Sequence, residues 1–392
     1  MAASAHDSSG GLLDGANRRA RRYARPPIDP LSLEGHVKRI GLGALGVVVV
    51  LLLAAFLARG PFATSVMRIV AGRVMAADPI GSLPDGLHVT LCGAGSPLPD
   101  PRRSGPCVGI VAGGGLFVVD AGSAAARNMQ RLALPPSETA AVFLTHFHSD
   151  HIDGLGELAL LRWAGGSHAE SLPVYGPPGV EVVAAGFDQA YRLDAGYRVA
   201  HHGEAVVPAG GAGLEARPFP TPENGSPVVV WDEGGVRVTA FRVDHAPVAP
   251  AVGYRFDYGG RSVVVSGDTV KTAEIARVAK GADLLVHEAL APQLVGILTQ
   301  AAEEAGLSAR AKITRDILDY HTTPVEAAET AAEAGVGHLL FYHVVPPLLL
   351  PGMETAFLEG VSGAYAGEFT LGRDGTRVSL PSGSAEIEVT LD

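Results

Sequence analysis

Four side chains of metal-ligand type fall within six residues: His146, His148, Asp150 and His151. The apolar run Ala141-Val142-Phe143-Leu144 before them reads as a buried strand. Ile152-Asp153-Gly154-Leu155-Gly156-Glu157-Leu158 after them reads as the start of a helix. All four therefore stand on one strand-to-helix turn. Imidazole and carboxylate donors suit zinc, manganese or iron(II), and the turn holds no Cys to favour a soft-metal cluster. So many donors on one turn crowd a single ion and suit two ions side by side.

The elements around this turn position further candidates. Strands are expected at Leu87–Leu91, Val108–Val111, Leu116–Val119, Ala141–Leu144 and Leu172–Tyr175, with Gly-rich turns between them. A second series covers Val228–Trp231, Val236–Val243, Val252–Tyr258, Ser262–Val265, Leu284–Val286 and His338–Tyr342. Val252–Tyr258 and Ser262–Val265 form a hairpin around Gly259-Gly260. His245 follows Val236–Val243, Asp268 follows Ser262–Val265, Glu288 follows Leu284–Val286, and His343 follows Leu339–Tyr342. Each lies at a strand's C-terminal end, where α/β folds place their sites. His321-Thr322-Thr323-Pro324 opens a helix over about 324–334, with Pro in its first turn. Asp120 closes a strand near the site and could hydrogen-bond a ligand His. His168, His201, His202, His287 and His338 read as structural. Helices are expected near 179–195, 271–280, 292–305 and 308–319, and residues 203–227 as a Gly/Pro/Ala-rich loop insertion. Two halves, each of strands followed by helices, predict an α/β protein folded as a four-layer αββα sandwich.

The N-terminal part has a different character. Residues 1–39 are polar, basic and without periodicity, as in a disordered tail. Residues 40–58 are an uncharged apolar run of nearly the length that crosses a bilayer as a helix. A transmembrane anchor is the reading preferred over a cleaved signal peptide, since no clear A-x-A site follows, and over a buried core helix. Residues 59–86 read as a juxtamembrane connector with a short amphipathic helix, and 87–392 as the domain that carries the ligand-type residues. Seven basic residues precede the apolar run and Arg59, Arg68 and Arg73 follow it. That bias predicts a single-pass protein with a cytoplasmic N-terminus and an extracytoplasmic catalytic domain. The chain carries a net charge of −11, with about +4 in residues 1–86 and hence about −15 in the rest. Cys92 and Cys107 each border an expected strand; a bridge between them and two free buried thiols both remain open.

His146-Phe147-His148-Ser149-Asp150-His151, followed in order by His245, Asp268 and His343, resembles the metallo-β-lactamase superfamily. Ser266-Gly267-Asp268-Thr269, Val286-His287-Glu288-Ala289, His321-Thr322-Thr323, Tyr342-His343 and Tyr175-Gly176-Pro177-Pro178-Gly179 are similar to the branch that holds ribonuclease Z, related phosphodiesterases and zinc arylsulfatases. The similarity runs from about Leu87 to Pro346. It implies two zinc ions, with manganese or iron(II) as alternatives. His146, His148 and His245 would hold one; Asp150, His151 and His343 would hold the other. Asp268 would bridge them, and Asp150 would also orient a metal-bridging hydroxide. His321 would stabilise charge on the reacting group or protonate the leaving oxygen, oriented by Glu288.

One departure from the branch matters for the substrate. Ribonuclease Z carries a Gly/Pro-rich arm flanked by basic residues that grips tRNA. The insertion at 203–227 has Arg217 as its one Arg, against Glu204, Glu215 and Glu223. With the acidic balance and the expected topology, this argues against tRNA as a partner. The expectation is a membrane-anchored dinuclear zinc hydrolase of small phosphodiesters or sulfate esters: a small-molecule ester as substrate, and the lipid bilayer engaged through 40–58. A hydrolase of lactones or β-lactams and a non-catalytic membrane-anchored metal-binding module are the alternatives.

Overall fold

The computed structural model describes residues 30–391, with side chains from Ala44 onward. The chain divides after Ala77 into two units. Within the first, one helix, α1, spans Pro30–Met75 without a break and contains Pro61. It runs through the divisions expected at 39/40 and 58/59, and the basic tail expected over 1–39 falls outside the described residues as far as 29. Ala44–Met75 is the described segment long and apolar enough to cross a membrane. Its 32 residues span about 48 Å as a helix, well beyond the hydrocarbon core of a bilayer.

The second unit, Asp78–Asp392, holds two sheets. The first contains β1 (Gly86–Gly93), β2 (Cys107–Ala112), β3 (Gly115–Val119), β4 (Thr139–Phe143), β5 (Leu172–Gly176) and β6 (Leu214–Pro218). The second contains β7 (Val228–Glu233), β8 (Val236–Arg242), β9 (Val252–Tyr258), β10 (Arg261–Val265), β11 (Leu284–Leu290), β12 (His338–Val345) and β13 (Glu368–Leu371). β14 (Arg377–Pro381) and β15 (Glu388–Thr390) return to the first. Strand order is β15-β14-β1-β2-β3-β4-β5-β6 in one sheet and β13-β12-β11-β10-β9-β8-β7 in the other. Each sheet starts antiparallel and turns parallel, from β3 to β6 and from β10 to β13. The hairpin around Gly259-Gly260 joins β9 to β10.

Alternation along the strands builds the layers. Phe117 and Val119 enter the core between the sheets, whereas Leu116 and Val118 face outward. Val263 and Val265 point in and Val264 points out; Leu340 and Tyr342 point in and Leu339 and Phe341 point out. Both faces are apolar because both are covered. α2 (Ala125–Arg131), α4 (Leu155–Gly166) and α5 (Val180–His202) cover the first sheet, behind the short helix α3 (Ser149–Ile152). α6 (Ala273–Val278), α9 (Pro324–Ala334), α10 (Met353–Phe357) and α11 (Val361–Ala364) cover the second, and α7 (Pro292–Glu304) and α8 (Ser308–Asp316) pack on each other. This is the αββα sandwich expected.

The segment 203–227 is more than a loop: β6 pairs parallel to β5 at the sheet edge. Of its five residues only Leu214 is buried, so it carries no apolar run to betray a strand. Cys92 and Cys107 form a disulfide, with Cα atoms 5.0 Å apart. It ties β1 to β2 where the two strands pair.

Candidate metal centre

The turn after β4 is fixed by a buried carboxylate on the neighbouring strand. Asp120, at φ 56° and without solvent exposure, follows β3. Its Oδ1 accepts from the Thr145 backbone N–H at 2.8 Å, and its Oδ2 accepts from the Thr145 hydroxyl at 2.8 Å. Oδ2 also lies 2.8 Å from His151 Nδ1. With Nδ1 so engaged, His151 presents Nε2 to the site. The turn also packs without clearance: a Cβ on Gly122 would lie 2.2 Å from Asp150 O.

The opposite wall is built from the second sheet. Tyr254 on β9 donates its hydroxyl to Leu144 O at 2.6 Å, and Val252 N–H donates to Thr145 O at 3.0 Å. Asp268 follows β10 through Gly267, which has φ 65° and would place a Cβ 2.9 Å from Val252 O and 3.0 Å from Thr145 Cβ. Only a residue without a side chain lets the two loops meet so closely. His343 is the extra residue of a bulge: Glu288 pairs with Tyr342, and Ala289 pairs with Val344. The bulge and a left-handed φ of 44° aim its imidazole out of the sheet. His245 Nδ1–H donates to Tyr320 O at 2.9 Å, which turns Nε2 inward.

These devices converge. Asp268 Oδ2 lies 3.3 Å from His343 Nε2, 3.4 Å from His151 Nε2, 3.8 Å from His146 Nε2 and 3.9 Å from His245 Nε2. His146, His148, His245 and Asp268 present ligand atoms within 4.8 Å of one another, and so do Asp150, His151 and His343. Asp268, His321 and His343 form a third such group. Glu288, fully buried, holds His321: its Oε1 lies 3.1 Å from His321 Nδ1 and accepts from the Thr322 and Thr269 backbone N–H groups at 3.0 and 3.1 Å. A capping box between Thr323 and Glu326 starts α9 immediately afterwards. Of the histidines set aside, His287 is buried with Nδ1 on Glu288 O, His168 bonds Ser137 O and His338 bonds Thr370.

The charges sort by surroundings. Burial alone would raise the Asp268 carboxyl, but His343, His151 and His146 hold it well below the usual range. Burial works against a proton on His151, yet Asp268 and Asp120 raise it well above the ordinary imidazole value. His146, His148 and His245 are lowered, chiefly by burial. Burial would also lower His321, but Glu288 and then Asp268 raise it to about 9.

The donor set fits divalent metal ions. His151 Nε2, Asp268 Oδ1 and both ring nitrogens of His343 are buried and have no hydrogen-bond partner among the described residues. Most buried polar atoms have a partner, so four unpartnered ones gathered in one site point to a group that satisfies them together. An ionised Asp268 and neutral His146, His148 and His245 are in the forms that coordinate, and an ion would displace the proton that Asp268 and Asp120 favour on His151.

Residues 100–313 match the metallo-beta-lactamase superfamily model. The chain belongs to the metallo-beta-lactamase superfamily. It is a hydrolase of that superfamily. It is 37% identical over 300 residues to ribonuclease Z of Mycobacterium avium (strain 104), covering 76% of this chain and all of that one. Ribonuclease Z of Mycolicibacterium paratuberculosis is 38% identical over the same length and coverage. Among solved structures, the metallo-beta-lactamase fold protein YhfI of Bacillus subtilis superposes with a TM-score of 0.53 at 21% identity, over 75% of this chain and all of YhfI. Human tRNase Z, short form, gives 0.52 at 21% identity, over 75% of this chain and 99% of that one. Both share the fold.

These relatives correct two expectations. A membrane-anchored hydrolase of small phosphodiesters or sulfate esters does not stand, and neither does the exclusion of tRNA, because relatives matched along their whole length are ribonucleases Z. The acidic balance behind that exclusion is a sum over the domain. It does not describe the charge at the mouth of one cleft.

Proposed function

We infer that the Asp78–Asp392 unit is a metal-dependent ribonuclease that hydrolyses phosphodiester bonds, with tRNA as the substrate to test first. The observation that carries this reading is the convergence of four imidazoles on one buried Asp268 oxygen, beside a His321 held by Glu288. The ribonuclease Z relatives supply the substrate class.

In this reading His146, His148 and His245 would hold one ion, Asp150, His151 and His343 would hold the other, and Asp268 would serve both. Zinc suits these donors, as do manganese and iron(II). The chemistry such ions supply is polarisation of a phosphoryl oxygen and a lowered pKa for bound water. Asp120 keeps His151 in the tautomer that coordinates. His321, its Nδ1 on Glu288, turns Nε2 toward the scissile phosphate and carries the proton for the leaving oxygen. α1 is the anchor. The basic bias before residue 40, together with the Cys92–Cys107 disulfide, favours a catalytic unit outside the cytoplasm, so the RNA it meets there is extracytoplasmic and the tRNA transcript serves as the probe of the reaction.

Two experiments test these parts separately. The full-length chain, purified in detergent and loaded with zinc, should cut a tRNA transcript carrying single-stranded extensions at both ends. EDTA should stop the cut and zinc should restore it. Hydrolysis of bis-p-nitrophenyl phosphate with the transcript left whole would overturn the RNA reading. For topology, an export-dependent reporter fused after Asp392 should be active; activity only from a cytoplasmic reporter overturns the orientation.

A further inference from the structure

Tyr320 stands at the mouth of the metal centre with a side chain the fold does not use. Its backbone carbonyl orients His245, a task any residue at 320 performs. Its ring belongs to none of the apolar core clusters and is half-buried. Among the described residues its hydroxyl has no hydrogen bond to other protein groups. The ring lies edge-on to His245 with centroids 4.7 Å apart and planes at 88°. Its centroid is 4.8 Å from that of His321 and 6.5 Å from that of His148. It therefore touches both the ligand-type imidazoles and the proton-carrying one. Tyr342 lies near His343 but is wholly buried. Of the described tyrosine rings paired with these imidazoles, Tyr320 is the one a bound molecule can still reach.

Its origin explains its placement. α8 ends at Asp316, a 3-10 turn covers Ile317–Asp319, and Tyr320 is the last residue before His321 and the Thr323 cap. Glu288 pins the chain at His321 and Thr322, and Thr322 Oγ1 donates to Thr269 O at 2.6 Å. The ring is thus carried on backbone anchored from the strand side.

We propose that the Tyr320 ring is the stacking platform for the nucleobase next to the scissile phosphate, so that it selects nucleic-acid substrates over simple phosphodiesters. A phosphate held by the metal centre brings its flanking nucleotides within a few ångströms of these imidazoles, and an unstacked base needs a flat apolar partner there. Aromatic stacking is the sequence-tolerant way to hold single-stranded RNA. It needs no basic arm, and none is evident in 203–227. The proposal rests on the RNA reading above.

The test uses the zinc-loaded full-length chain and the extended tRNA transcript, with 2-aminopurine placed beside the mapped cleavage site. Tyr320→Ala should raise KM for RNA about 5- to 150-fold, the range set by one lost base–aromatic stack, with a smaller change in kcat. Tyr320→Phe and Tyr320→Trp should restore it, because the ring and not the hydroxyl is used. In a stopped flow, before turnover, the wild type and Tyr320→Phe should quench 2-aminopurine, and Tyr320→Ala should not. Equal quenching and equal KM in Tyr320→Ala overturn the platform, as does a Tyr320→Phe defect equal to that of Tyr320→Ala. A fall in kcat alone, with KM and quenching unchanged, overturns it too. A wild type that cleaves RNA beside an indifferent Tyr320→Ala sinks only this proposal. A wild type that hydrolyses bis-p-nitrophenyl phosphate and leaves RNA untouched sinks the RNA reading together with it.

Discussion

The two walls of the metal centre are held by different means. On the first sheet, four ligand-type residues share the turn after β4, and one buried carboxylate, Asp120, fixes both the start of that turn at Thr145 and its end at His151. On the second sheet, His245, Asp268 and His343 stand on separate strand ends. Each is aimed by its own device: a backbone carbonyl for His245, the left-handed Gly267 before Asp268, and a bulge for His343. A shared brace makes several ligands fail together, whereas separate devices fail one at a time. The exception on the second wall is Asp268, whose Oδ2 lies within 3.9 Å of imidazoles from both walls.

Asp268→Ala should therefore have the largest effect. Activity should fall to background, and metal analysis of the variant should show both ions lost or weakened. His245→Ala should weaken one ion only. Two tightly held ions in Asp268→Ala would remove the distinction between a group that joins the walls and groups that serve one.

His321→Ala comes next. His321 touches Glu288 rather than the first wall, so its loss should leave metal content intact while kcat falls by roughly 10²- to 10⁴-fold, the worth of a positioned acid. The loss should be smaller for a p-nitrophenolate leaving group, which needs no proton, than for a ribose oxygen. Zinc lost in proportion to activity would make His321 a ligand, as its grouping with Asp268 and His343 allows geometrically.

The two walls also differed in how far the sequence disclosed them. The first was legible because its ligand-type residues are contiguous, and because strand, turn and helix around them each carry a local signal. On the second wall the residues could be picked out only by their places at strand ends and by family resemblance. What aims them is tertiary. No pattern in Tyr342-His343-Val344 announces a bulge, since it arises from the pairing of β12 with β11. Tyr320 was missed altogether: adjacency to His321 was its one cue, and its meaning comes from β8 arriving beside it with His245. β6 and the short edge strands β13 and β15 were missed because edge strands bury few side chains, and β14, an inner strand that buries Val378 and Leu380, was missed with them. The exclusion of tRNA rested on a missing basic arm, a charge total and an expected topology, and the ribonuclease Z relatives matched along their whole length overturn it.

Asp120→Asn sharpens the shared-brace idea. Asparagine keeps the size and one acceptor but can no longer take hydrogen bonds at both oxygens while holding a proton on His151 Nδ1. Outer groups of this kind change metal affinity about 10- to 100-fold. Competition with a chelator should show a loss in that range for Asp120→Asn. Tyr320→Phe, which keeps the carbonyl that orients His245, should show none. Equal affinities in Asp120→Asn and the wild type would mean that the turn holds its shape without the brace.

The smallest effect is expected from Glu288→Gln, and its diagnostic is pH. Glu288 is the foremost group that raises His321, to about 9, against a burial that works the other way. A raised folded value means that the proton is held below pH 9 and lost as pH climbs through it. An acid role then gives kcat an alkaline limb. Replacing the carboxylate by a neutral amide keeps an acceptor oxygen for His321 Nδ1 but removes the charge, so the imidazole gives up its proton earlier. In the kcat profile of Glu288→Gln on RNA the alkaline limb should start at lower pH than in the wild type. At neutral pH the loss should be about tenfold, the lower end for an outer-group change. His321→Ala should show no such limb, and adding Glu288→Gln to it should cost little more, because the two residues act in series. A limb unmoved by Glu288→Gln, with activity still reduced, would assign Glu288 to its other bonds, the Thr269 and Thr322 backbone groups it accepts from. Its work would then be to hold the Asp268 turn to the His321 turn, and the second wall would have a shared brace of its own.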